Sequence, residues 1–220
     1  MAAFRRALAD GADLIETDLR LTADGAFVCL HDATLVRTGG VLAAAAAVTL
    51  EELKRHPVAC GRPDFREERV PALPELLEVL PPDVGLALEL KSDRFLEPET
   101  GRRLGDLLRG FGVLGRTAVL SFDFARCRAV RREVPGLRAG FITLRGGLPP
   151  EGEAEMVGPA WPLLLANPLL PWLAHRRGLF LAPLDDMPDR LLWYYRAIGC
   201  DAVLTNDPGA TLRKLGRGPR

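Results

Sequence analysis

Short apolar runs alternate with helical stretches along this chain, and that alternation restricts the fold more than any other feature of the sequence. Segments with strand character begin near residues 12, 84, 117, 137, 161, 178 and 201: ADLIETDL, VGLALELK, TAVLSF, LRAGFIT, WPLLLA, GLFLAPL and DAVLTN. Helical patterns fall around and between them, over residues 2–9, 49–55, 97–110, 123–134, 168–176 and 187–199, in PALPELLEVLPP and in PGATLRKL. Strands separated by helices return to the same end of a sheet and pair in parallel, as βαβ units. Most of the strand segments are apolar almost throughout, as strands covered on both faces are. The chain has 220 residues, 48% of them hydrophobic, enough for one sizeable core and ordinary for one α/β barrel. A closed (β/α)8 barrel needs eight parallel strands, and the sequence offers seven. No internal repeat or linker divides the chain, so residues 1–220 are read as one domain.

Charge and cysteine content narrow the class further. Twenty-nine basic residues balance 29 acidic ones, which does not fit a nucleic-acid-binding surface. Cys29, Cys60, Cys127 and Cys200 are far apart and form no Cys-x-x-Cys pair. They read as small apolar fillers in a reducing compartment. No uninterrupted apolar stretch is long enough for a transmembrane helix, and no signal peptide is visible at the N-terminus. A cytoplasmic location is the expectation.

The chemistry-bearing residues concentrate in two places. In GADLIETDLRLTADGAFVCLHD, residues 11–32, Glu16 and Asp18 are two apart and share one face of an extended strand. Asp24-Gly25 is a hairpin signal. A two-residue loop there pairs Ala23 with Ala26 and sets Asp18 opposite His31, with Cβ atoms roughly 5 Å apart. The second place is Glu89-Leu90-Lys91, at the C-terminal end of its strand, where a barrel carries its active site. Three carboxylates at neighbouring strand ends suit a hard divalent cation, Mg2+ or Ca2+. Lys91 beside them suits a phosphate, and His31 can move a proton near neutral pH. Thr49, with Glu52 three residues on, reads as a capping box that starts a helix.

The run GADLIETDLRLTADGAFVCLHDATLVRT resembles the glycerophosphodiester phosphodiesterases. It carries that family's Gly-Ala-Asp, Glu-x-Asp, Thr-x-Asp-Gly and His-Asp followed by Arg-Thr, with the spacing intact. The likeness continues through VPALPELLEVLPPDVGLALELK, weakens at LSFD, and returns at GCDAVLTNDP. The resemblance implies a TIM barrel and a metal-dependent hydrolase that turns glycerophosphodiesters into glycerol 3-phosphate and an alcohol. It implies Glu16, Asp18 and Glu89 as ligands of a divalent cation, Lys91 as a phosphate contact and His31 as one of two histidines acting as general acid and base.

Two departures qualify that implication. The family opens with a strand ending His-Arg-Gly, then Pro-Glu-Asn-Thr, and neither occurs here. The expected eighth strand and the second histidine are therefore one absence, and the chain is read as N-terminally incomplete. His56 and His175 are poor replacements, the first after a surface helix and the second beside Arg176 and Arg177. Leu181-Ala182-Pro183-Leu184 stands where the family has a Trp-Thr pair, which implies a smaller, more apolar mouth. An alternative reading follows from the missing histidine: a barrel that binds metal and phosphate with little or no activity. An open sheet edge also invites pairing with a second copy.

Overall fold

A computed structural model of the chain describes residues 1–218. The last two residues of the arginine-tipped tail, expected from the sequence to fray, lie outside them. The strands are β1 (Leu14–Leu21), β2 (Phe27–Cys29), β3 (Gly85–Leu90), β4 (Thr117–Ser121), β5 (Arg138–Thr143), β6 (Met156–Pro159) and β7 (Phe180–Leu181). The helices are α1 (Ala2–Ala9), α2 (Val36–Gly39), α3 (Leu50–Lys54), α4 (Leu73–Val79), α5 (Pro98–Gly110), α6 (Phe124–Glu133), α7 (Trp161–Ala166), α8 (Leu170–Arg176), α9 (Leu192–Ala197) and α10 (Pro208–Lys214).

All seven strands join one sheet in the order β2-β1-β3-β4-β5-β6-β7. Only the β1–β2 pair is antiparallel; every other neighbour is parallel. Apart from β2, spatial order follows chain order, which is the winding of a (β/α) barrel with its strands opening at one common end. Ile15, Leu19 and Leu21 of β1 and Leu86, Leu88 and Leu90 of β3 are buried in the main apolar core. Leu76 and Leu77 of α4, Leu104 and Leu108 of α5 and Cys127 and Val130 of α6 belong to the same core. Because side chains alternate along a strand, the opposite parity of β1 and β3 faces away from that core. It carries Glu16, Asp18 and Arg20, then Ala87, Glu89 and Lys91.

The structure departs from the sequence expectation in several places. Residues 161–166 form helix α7, and the strand lies just before it at Met156–Pro159. The stretch from Met156 to Ala166 is uncharged throughout, so hydrophobicity marks no boundary within it. Pro162 falls in the first turn of α7, where a missing N–H costs nothing. Residues 201–206 form no regular strand. The Asp201 carboxylate accepts the Leu181 N–H at 2.7 Å, taking the donor that a ladder carbonyl would use. The strand expected over 178–184 shortens to β7, prolonged by one parallel bridge between Ala160 and Leu184. The sheet therefore holds six parallel strands rather than seven.

Another departure is the hairpin register. Leu19 pairs with Cys29, Arg20 with Val28 and Leu21 with Phe27. The loop is thus three residues, Ala23-Asp24-Gly25, closed by Thr22 N–H donating to the Ala26 carbonyl at 3.0 Å. Gly25 has φ +82°, the left-handed position that such a turn requires and that glycine adopts without strain. Asp18 consequently lies opposite Leu30, whose N–H donates to the Asp18 carbonyl at 2.9 Å, and not opposite His31. Thr22 Oγ1 also donates to the Asp24 carboxylate at 2.5 Å, a turn-internal bond that periodicity does not reveal. The capping box at Thr49 and Glu52 forms as expected.

Candidate functional site

Glu16, Asp18 and Glu89 come together where β1 and β3 run side by side. Asp18 and Glu89 are register partners on the parallel pair, and Glu16 lies two residues before Asp18 on the same face. Each offers a carboxylate oxygen within 4.8 Å of the others. Lys91, two residues after Glu89, reaches back so that its Nζ lies 2.6 Å from Glu89 Oε1 and 3.1 Å from Asp18 Oδ1. The strand end that carries Glu89 and Lys91 is braced from next door. Ser121 Oγ and Arg126 Nη1 both donate to the Leu90 carbonyl, at 3.0 and 3.1 Å. Arg126 also donates to Asp93, at 2.6 Å from Nη2.

Three carboxylates against one ammonium leave the cluster short of positive charge. Burial, together with the charges of Asp18 and Glu89, pushes the Glu16 carboxyl up to about 8, against a smaller opposing effect of Lys91. Burial also raises Glu89, although the hydrogen bond and charge of Lys91 resist it. For Lys91, burial acts to lower the ammonium, but bonding to Glu89 and the charge of Asp18 outweigh it and the group is raised. Lys91 is therefore a firm cation, and Glu16 is the carboxylate least compensated by protein groups. Oxygen donors so close together, with negative charge in excess, fit a hard divalent cation.

His31 follows β2 at the same end of the sheet, largely exposed, and its charge acts on Glu89. Its placement rests on bonds the strand ladder does not supply. Arg20, on the same face of β1 as Asp18, donates from Nε and Nη2 to the His31 carbonyl at 3.0 and 2.8 Å. His31 Nδ1 lies 2.7 Å from Asp32 Oδ1, and Arg37 Nε donates to Asp32 Oδ2 at 2.7 Å. The bond from Arg37 and that from His31 hold the Asp32 carboxyl down at about 2. An ionised Asp32 on Nδ1 fixes the tautomer in which Nε2 is the unpaired nitrogen. The hairpin turn behind His31 is tied to the layer below: Arg94 donates to the Thr22 carbonyl and Arg103 to the Gly25 carbonyl, each at 2.8 Å.

Glu16, Asp18, Glu89 and Lys91 are thus brought together as the sequence expects, with His31 at the same end. Asp32, Arg37 and Arg20 are the supporting residues that sequence reasoning left without a role. The only signal for the first two was their position just after His31 in the shared motif. Phe122, exposed directly after β4, was also missed; the Lys91 ammonium lies 5.7 Å from the centre of its ring. His175 ends up elsewhere. It sits near the end of α8, which leads into the start of β7, so it lies toward the opposite end of the sheet, bonded to Asp201 at 3.0 Å.

Residues 1–210 match the model of the glycerophosphoryl diester phosphodiesterase family. A glycerophosphodiester phosphodiesterase of Caldanaerobacter subterraneus subsp. tengcongensis is 29% identical over 235 residues, covering 99% of this chain and 92% of the relative. Among solved structures, an Oleispira antarctica phosphodiesterase in complex with the product sn-glycerol-3-phosphate superposes with TM-score 0.86 at 21% identity, over 98% of this chain and 90% of that one. A Parabacteroides distasonis glycerophosphodiester phosphodiesterase superposes with TM-score 0.81 at 23% identity, over 96% and 87%. At those identities the superpositions speak for the barrel fold.

Proposed function

The chain belongs to the glycerophosphoryl diester phosphodiesterase family, and from that membership we propose a metal-dependent hydrolase that cleaves glycerophosphodiesters to glycerol 3-phosphate and an alcohol. The observation that carries this reading is the convergence of Glu16, Asp18 and Glu89 within 4.8 Å, with Lys91 bonded to two of them. Glu16, Asp18 and Glu89 would hold a divalent cation, Mg2+ or Ca2+, which when bound withdraws charge from the phosphoryl oxygens. Lys91 meets a second phosphate oxygen with a fixed positive charge. Its place is set by two carboxylates, so little reorganisation is needed when a phosphate arrives.

His31 is the general acid or base of this proposal, with Nε2 as the working atom. As acid it gives a proton to the departing alkoxide; as base it takes one from the attacking hydroxyl. Net hydrolysis adds water across one P–O bond: hydroxyl to phosphorus, hydrogen to the leaving oxygen. The small-molecule substrate is consistent with the product named in the Oleispira structure. The four cysteines are free thiols, which supports a reducing, cytoplasmic setting.

The test is release of glycerol 3-phosphate from glycerophosphocholine by the purified chain, with chelator and with Mg2+ or Ca2+ restored. Turnover that chelator removes and that His31→Ala lowers at least about a hundredfold is the expected result. Metal binding to wild type, lost in Glu89→Gln, without any turnover would instead leave the chain as a metal- and phosphate-binding barrel.

A further inference from the structure

The stretch from Met156 to Ala174, MVGPAWPLLLANPLLPWLA, holds no charged residue at all, in a chain where 26% of residues are charged. No aspartate or glutamate occurs from Met156 to Leu184, and the only ionisable groups there are His175, Arg176 and Arg177. A fully buried segment would account for such a composition, but much of this one is on the surface. Trp161 is 40% exposed, Leu165 48%, Leu169 64%, Trp172 54% and Leu173 39%. The face that α7 and α8 bury consists of Leu164, Leu170, Pro171 and Ala174. The outward face of α7 and of the first turn of α8 is therefore largely apolar, and the exposed His175 and Arg176 close it at the end of α8.

Helix α5 shows what an outer helix of this protein otherwise looks like. It buries Leu104 and Leu108 and turns Arg102, Asp106 and Arg109 to solvent. The apolar face extends onto α9. The Tyr194 hydroxyl donates to the Leu164 carbonyl at 2.7 Å, and the neighbouring Trp193, 71% exposed, packs its ring 5.8 Å from that of Tyr194. All three tryptophans of the chain thus lie on or beside one surface. At one end the Arg176 guanidinium sits 4.9 Å from the centre of the Trp172 ring. At the other, the Trp161 N–H donates to the Leu184 carbonyl at 3.2 Å, at the strand-end rim that carries the carboxylate cluster.

We propose that the outward face of α7 and α8, with Trp193 at its edge, docks the protein on a lipid bilayer containing anionic headgroups. Tryptophan and leucine side chains enter the acyl boundary, and arginines at the margin stay with the headgroups. The charge pattern selects this occupant. Helices α7 and α8 contribute no carboxylate of their own, and Asp201 at their margin is engaged by His175 at 3.0 Å. A second copy placed across a two-fold axis would set two arginine-edged faces against each other, whereas an anionic leaflet supplies countercharge to Arg176. No helix of the described residues is long and apolar enough to cross a membrane, so attachment is to one surface. Trp161 then holds the rim of the site beside the headgroup layer.

The test is co-sedimentation of the whole chain with vesicles of phosphatidylcholine alone, or with a minority of phosphatidylglycerol. Binding to the anionic vesicles that weakens as salt rises is the expected result. The variant L165S/L169S/W172S should lose at least about tenfold in vesicle affinity, with an unchanged circular dichroism spectrum and melting temperature. Arg176→Gln should lose about fivefold on anionic vesicles only. No binding to either vesicle, or equal binding by the triple variant, overturns the proposal. So does a wild-type dimer in sedimentation velocity that the triple variant splits, which would assign the face to a second copy. None of these readouts depends on turnover, so loss of the hydrolase reading would leave this result standing.

Discussion

Strands β1 and β3 and strands β6 and β7 end at the same rim of the sheet, yet they present opposite kinds of side chain there. On the first side Glu16, Asp18, Arg20, Glu89 and Lys91 crowd together, with His31, Asp32 and Arg37 beyond. On the second side the rim leads into Trp161 and the uncharged surface of α7 and α8. The contrast separates two ways of breaking the ordinary inside-outside rule. The charged side draws carboxylates into a half-buried place and leaves them undercompensated, which raises Glu16 to about 8. The apolar side leaves large hydrophobic groups in water. Each is unfavourable in the isolated molecule, and the two proposals give each a different companion: a cation and phosphate on one side, a bilayer on the other.

Substitutions at the two sides should therefore separate activity from attachment. The largest effect is expected from Glu89→Gln, which removes a charged oxygen donor and the partner of Lys91. It should lower kcat/KM by at least about a thousandfold in a metal-supplemented glycerol 3-phosphate release assay, with vesicle binding intact. His31→Ala should lower kcat by about a hundred- to ten-thousandfold with little change in metal affinity measured by calorimetry. Asp32→Asn, which frees the tautomer of His31, should cost roughly ten- to a hundredfold in kcat and shift its pH profile. A change in KM alone would assign Asp32 a role in binding instead.

The pH dependence of the metal-free protein follows from Glu16. Its folded carboxyl is raised above its ordinary 4.5, so the folded chain holds a proton there that the unfolded chain has lost. The sign is then fixed: this contribution is fully present below about 4.5 and is lost as pH rises towards about 8. In chelator, unfolding free energies from denaturant titrations should fall across that interval at no more than about 1.4 kcal/mol per pH unit, and Glu16→Gln should flatten the slope. A divalent cation should do the same by supplying the missing countercharge. The smallest effect is expected on the apolar side. Trp172→Ser should change stability by less than about 0.5 kcal/mol, as an exposed position does, while Leu164→Ala, on the buried face of α7, should cost about 2–5 kcal/mol.

The charged side was also the more legible one in the sequence. Glu16 with Asp18 and Glu89 with Lys91 each carry period-two spacing, and strand pairing needs only a matching register to bring them together. Thr49 and Glu52 declared a helix start through a local bond that two side chains complete by themselves. The hairpin was legible as a turn but not in its register. Asp24-Gly25 fits both a two- and a three-residue loop, and the choice rests on Thr22, whose N–H and hydroxyl both engage the turn. On the apolar side the uncharged run erases the contrast that marks boundaries, which is why residues 161–166 read as a strand although the strand is β6, just before them, and they form α7. Residues 201–206 have strand composition, but their bonding to β7 is confined to their first residues: the Asp201 N–H donates to the Leu181 carbonyl at 2.9 Å while its carboxylate takes the Leu181 N–H, and no ladder follows. The supports of His31 were hidden for another reason. Arg20 and Arg37 act through a carbonyl and a carboxylate, and the spacing of charged residues does not encode such bonds.

The short hairpin has a consequence for the order in which the site is assembled. Glu16, Asp18 and His31 lie within one local β1–β2 unit, closed by the three-residue turn at Ala23-Asp24-Gly25. Glu89 and Lys91 arrive only when β3 pairs with β1 across some seventy residues of sequence, and contacts that distant form late because the intervening chain must be ordered first. A chain with only its hairpin formed presents two of the three carboxylates and no ammonium. Metal uptake during refolding should therefore lag hairpin formation and coincide with the docking of β3, making the cation a reporter of the moment the barrel wall closes around it.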